Sequence, residues 1–203
     1  MTDPSTLLAE GRGDDAVAAL LAAAADERPW IRERALASAA RLPQARLLLP
    51  ALEAALRDGG DAGRRNAARS LLASMAAPGA LPGALRMLDR LLRHDADGDV
   101  RLLAASALGE SANPASRDGL EAALEDGESN VAAAAADALG SLRDPRSAGA
   151  LARAVSGGDP WRALAAVFAL GRLGAARGLP ALAAAMADPM LAAAAVEAIG
   201  ELG

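Results

Sequence analysis

One line recurs along this chain and limits what it can fold into. It reads "AASALGESANP" at 104–114, "AADALGSLRDP" at 135–145 and "AAVEAIGELG" at 194–203. Gly109, Gly140 and Gly171 follow "SAL", "DAL" and "FAL" at intervals of 31 residues, and Gly200 follows "EAI" after a further 29. A period of about 30 residues holds two helices of roughly 11–12 residues and two short turns, so each repeat is expected to be a helical hairpin.

The apolar spacing agrees. Val100, Leu103, Ala104, Ala107 and Leu108 form one helical stripe. Val131, Ala134, Ala135, Ala138 and Leu139 repeat it, as do Leu191, Ala194, Ala195, Ala198 and Ile199. The second helix of each pair carries Leu120 and Leu124, Leu151 and Val155, or Leu182 and Met186. The repeated Gly is expected to end the first helix at positive φ, where a Cβ is costly. Asn113-Pro114 and Asp144-Pro145 then restart the chain, with an N-cap side chain before a Pro at the first helical position. Asp159-Pro160 and Asp188-Pro189 have the same form at the next first helices.

Composition supports helices throughout. The chain is 53% hydrophobic but only 1% aromatic, so its interior is built from Ala, Leu and Val. Ala is the strongest helix former, and the sequence shows no two-residue alternation that would suggest strands. All 21 basic residues are Arg, against 26 acidic residues, for a net charge of −5. An acidic chain with few stacking aromatics is poorly suited to nucleic acid. Absence of cysteine removes disulfides, thiolate metal sites and Cys nucleophiles. The apolar run Ala16–Ala25 follows Gly13-Asp14-Asp15 rather than positive charge, and no run reaches the ~20 apolar residues of a membrane span. A cytoplasmic protein with no membrane partner is expected.

Chemistry-bearing constellations are scarce. His94 is the only histidine and sits in the polar connection "LLRHDADGD", with no His-x-x-x-His or Glu-His pairing that would suggest a metal site. No nucleophile accompanies it, and no Gly-rich phosphate loop follows a strand. The expectation is therefore no catalytic residue, no metal and no cofactor.

Asp99, Val100, Arg101, Ala104, Ala105, Ala107, Leu108, Gly109, Asn113 and Pro114 give the pattern D-x-V-R-x-x-A-A-x-A-L-G…[ND]-P. It resembles the short bacterial HEAT-like repeats of the phycobilisome-lyase type. The resemblance implies an all-α solenoid of about six stacked antiparallel hairpins filling residues 1–203 as one domain. An N-terminal capping part covers 1–26, and repeats cover 27–60, 61–96, 97–127, 128–157 and 158–187. An incomplete half-repeat occupies 188–203. Residues 61–96 depart most, with Leu72 where the Gly is expected.

In such arrays the first helices form the convex side and the second helices line the concave side. By that analogy the partner-binding candidates are Glu53, Arg57, Arg86, Asp89, Arg90, Arg93, Glu121 and Arg153, with Asp118, Glu125, Pro180 and Ala183 beside them. The resemblance also implies that Arg32, Arg101 and Arg162 tie turn carboxylates into a ladder between repeats. Trp30 and Trp161, each after a Pro at a helix start, are expected to pack over the preceding turn.

The leading expectation is a non-enzymatic scaffold or adaptor that binds a protein or peptide along the concave face. The family resemblance keeps a bilin lyase or chaperone-lyase subunit as the alternative. A HEAT-like DNA glycosylase ranks below it, because it needs a basic face and base-stacking aromatics. Terminal repeats need a polar cap. The half-repeat ending "AIGELG" is thus expected to pair in a homo- or hetero-oligomer or to belong to a longer chain.

Overall fold

The computed structural model describes residues 82–202, together with Glu10, Asp15, Ala19, Ala23, Arg28, Trp30 and Ile31. The chain divides into two compact units, Met1–Met87 and Leu88–Gly203. Among the described residues eight α-helices and no strand occur: α1 (Pro82–His94), α2 (Gly98–Glu110), α3 (Arg117–Ala123), α4 (Ser129–Leu142), α5 (Ala148–Val155), α6 (Pro160–Leu173), α7 (Leu179–Ala185) and α8 (Ala192–Leu202). Three complete hairpins follow, α2–α3, α4–α5 and α6–α7, and α8 is the first helix of another. No helix of the described residues is long and apolar enough to cross a membrane.

The hairpins are less even than the period suggests. First helices α4 and α6 have 14 residues, whereas second helices α3, α5 and α7 have only seven or eight. A 3-10 turn precedes each second helix, at Pro114–Ser116, Pro145–Ser147 and Ala176–Gly178. Where the sequence supplies Asn113 or Asp144, its side chain accepts from the N–H two residues on, and the following Pro fixes the turn. Asp159 caps α6 by accepting from the Arg162 N–H at 2.8 Å. Asp188 accepts from Met190 N–H, although α8 itself begins only at Ala192.

The repeated Gly does not end its helix. Gly109, Gly140 and Gly171 lie inside α2, α4 and α6, and the positive-φ residues come three positions later, at Ala112, Arg143 and Gly174. The reason for Gly is proximity. A Cβ on Gly109 would lie 2.7 Å from Ala138 Cβ, one on Gly140 would lie 2.9 Å from Ala169 Cα, and one on Gly171 would lie 2.9 Å from Ala198 Cα. Each first helix therefore crosses the next at a glycine facing an alanine, and the most extensive helix packing is α4 on α6 and α2 on α4, followed equally by α6 on α8 and α5 on α6. The surrounding core is the expected stripe: Val100, Ala104, Leu108, Val131, Ala135 and Leu139 are buried, joined by Leu120, Leu124, Leu151 and Leu182 from the second helices. Leu103 and Met186 are the exceptions, both exposed.

Candidate functional site

The second helices succeed one another beside this core. Asp89 of α1 closes on Gly119 of α3, where a Cβ would collide with its carboxylate. Glu121 of α3 accepts from the hydroxyl of Ser147, at the start of α5, at 2.8 Å. α5 in turn packs on α7. With Leu88, Leu120, Leu151 and Leu182 buried in register, equivalent positions form lanes across the face. Asp118, Gly149 and Pro180 make one lane, and Arg90, Ala122, Arg153 and Ala184 another; all seven are exposed. Charge is dense on α1, mixed on α3, reduced to Arg153 on α5 and absent from α7.

The predicted residues separate by what holds them. Glu53 and Arg57 lie outside the described residues. Asp89 and Arg93 pair one helical turn apart, with Nε 3.0 Å from the carboxylate. Glu121 is held by Ser147 and lies 3.7 Å from Arg117. Arg86, Arg90 and Arg153 are exposed, and Arg153 makes no ion pair with a described residue. A half-open cleft of about 270 Å³ lies between the end of α1 and α3, lined by Leu92, Arg93, His94, Gly119, Glu125 and Asp126 among others. The sequence reading left this cleft unseen. Gly119, small enough to let α1 and α3 approach, is the one signal for it.

The recurring arginines are structural ties. Arg101 holds Asp126 through Nε and a terminal nitrogen at 2.7 and 2.9 Å, and reaches back to the Asp95 carbonyl at 2.9 Å. That hydrogen-bonded pair holds the Asp126 carboxyl below and the Arg101 guanidinium above its ordinary value. Arg162 donates to the Leu124 and Gly157 carbonyls and pairs with Glu125 at 3.3 Å. Asp144 is lowered to about 2, first by the Arg146 side chain and then by the Arg146 N–H. Asp159 is lowered by the Arg162 N–H and the Ser129 hydroxyl. Arg32 lies outside the described residues.

The tryptophans do not pack as expected. Trp161 is 68% exposed, and Trp30 is also exposed, with the Arg28 guanidinium 5.8 Å from its ring centre. Among the described residues no group of three or more His, Asp or Glu is placed to hold a metal ion.

Stacked helical hairpins with glycine crossings and arginine-tied turns define a helical-repeat fold of the α-solenoid kind. Residues 85–167 match the family of HEAT repeats. Among solved structures, the complex of CpcE and CpcF of phycocyanin lyase from Nostoc sp. PCC7120 is 27% identical, with a TM-score of 0.62 over 76% of this chain. The chain spans 64% of the length of that relative. The Escherichia coli protein YibA is 22% identical with a TM-score of 0.64, covering 94% of this chain and 68% of its own. Human deoxyhypusine hydroxylase is 17% identical with a TM-score of 0.54, covering 92% of this chain and 84% of its own. Comparison with the curated proteins gives no match.

These relatives correct one expectation. A phycocyanin lyase complex and a hydroxylase share the fold, so the repeat architecture does not mark the chain as a non-enzyme, and that reading is withdrawn.

Proposed function

We propose that the chain is a protein-binding repeat module whose second-helix face receives the partner. The observation that carries this is the contrast between ties and exposed charges. Arg101 and Arg162 are spent on turns, whereas Arg153 stands exposed in a lane that ends on the uncharged exposed surface around Pro180, Ala183 and Ala184. An acidic segment with an apolar end complements that gradient, its charges steering encounter and fixing direction. Affinity capture with the full chain, repeated with R153E, tests it. A protein partner held by the native chain and roughly tenfold or more weaker on R153E is expected. A partner held equally by both chains, or no protein partner, contradicts it.

The likeness to the phycocyanin lyase complex favours a second reading, a subunit that presents or modifies a linear tetrapyrrole on a partner protein. A shift in bilin absorbance on mixing with the purified chain is its test, and an unchanged spectrum removes it.

A further inference from the structure

We propose that the outer stripe of the first helices α4 and α6 binds the same stripe of a second copy of the chain. A two-fold axis along the stacking direction sets α4 antiparallel to α4 of the copy, and α6 likewise.

The two ends of α4 carry opposite charges. Glu128 is its N-cap and Arg143 its C-cap, and both are exposed. Neither side chain makes an ion pair with a described residue. Arg143 also stands at φ 50°, a conformation costly for a residue with a Cβ, where the equivalent residues of α2 and α6 are the uncharged Ala112 and Gly174. The chain keeps a charge there and gives it nothing of its own to bind. Two α4 helices set antiparallel bring each Glu128 to the other's Arg143 and oppose their helix dipoles.

The stripe between these ends is its own complement. The register that joins Glu128 to Arg143 also sets Asn130 opposite Ser141 and Ala134 opposite Asp137. Asp137, the one charge within it, is already neutralised by Arg172 at 2.8 Å. α6 packs beside α4, and the same axis sets its Trp161 opposite Arg172 and its Ala165 opposite Phe168. Trp161 is 68% exposed, and a guanidinium over the indole gives it a partner. The small Ala165 leaves room for the half-buried Phe168. Parallel pairing fails by charge, because it lays the Glu128 and Asp159 ends against each other. On α2 the antiparallel register sets Asp99 against Glu110, both exposed, so the contact is centred on α4 and α6.

Sedimentation equilibrium of the full chain, E128R, R143E and the doubly reversed E128R/R143E tests it. The native chain is expected to dimerise, each single reversal to weaken the dimer roughly tenfold or more, and the double reversal to restore it. A monomer at every concentration, equal dimers in all four chains, or a double reversal no stronger than the singles overturns the proposal. A second measurement reads the arrangement directly. The chain has no cysteine, so E128C and R143C are oxidised separately and as a mixture. In an antiparallel pair each residue lies about 22 Å along the helix from its own copy but beside the other site, so a disulfide-linked dimer is expected in the mixture alone. Cross-linking within either variant by itself, or in no sample, overturns it.

Discussion

The first and second helices of the same repeats are held by different physics. α2, α4, α6 and α8 are long and Ala-rich, and cross at glycines so closely that a single methyl group is excluded at three crossings. α3, α5 and α7 are half as long, begin with a 3-10 turn, and meet through hydrogen bonds such as Ser147 to Glu121. Close-packed small side chains leave no room for substitution without moving backbone. The second-helix surface, exposed at Asp118, Ala122, Gly149 and Arg153, allows residue changes at little structural cost.

Substitutions sharpen that contrast. Leu139→Ala in α4 removes a fully buried side chain and is expected to cost about 3 kcal/mol in denaturant unfolding. Cutting the turn tie with Arg101→Ala leaves Asp126, largely shielded from water, without its two charged hydrogen bonds, and a loss of about 2 kcal/mol is expected. Arg143→Gly acts in the opposite direction. Its φ of 50° is costly for a residue with a Cβ, so glycine should gain about 1 kcal/mol, and Ala112→Gly at φ 49° should match it. Arg153→Ala on the second-helix face is expected to change stability by less than about 0.5 kcal/mol. A large loss there would erase the division between the layers.

Acid reads the same division through the turns. Asp144 has its pKa lowered from 3.8 to about 2 in the fold, so its contribution is complete above the unfolded value and disappears as pH falls from about 4 towards 2. A thermal midpoint followed over that window should fall more steeply in the native chain than in Asp144→Asn. Parallel curves would remove Asp144 from the account.

Much of this was legible in the sequence, and the errors have physical causes. The Asn-Pro and Asp-Pro pairs and the apolar stripes act through local geometry, so Asn113, Asp144 and Asp159 cap where expected. The glycines were misread because a Gly shortly before a Pro signals a helix end. Their spacing to Ala138 and Ala169 carried the correct meaning, that of two backbones in contact. Charges were harder to read. Whether an arginine is a tie or exposed depends on partners 25 to 37 residues away, as for Arg101 with Asp126 and Arg162 with Glu125, and no local pattern shows that distance closing. Trp161 was misjudged because a helix start looks the same whether or not a neighbour covers it.

The claim that the repeated glycine is a packing residue has one direct test: Gly140→Ala and Gly200→Ala, measured separately by equilibrium unfolding of the purified chain. Both sites are helical. An added methyl meets Ala169 backbone at 2.9 Å in the first and nothing within 4 Å in the second. The expected signs are opposite: Gly140→Ala destabilises by about 1–3 kcal/mol, and Gly200→Ala stabilises by about 0.5–1 kcal/mol. Stabilisation of similar size at both positions would contradict the account.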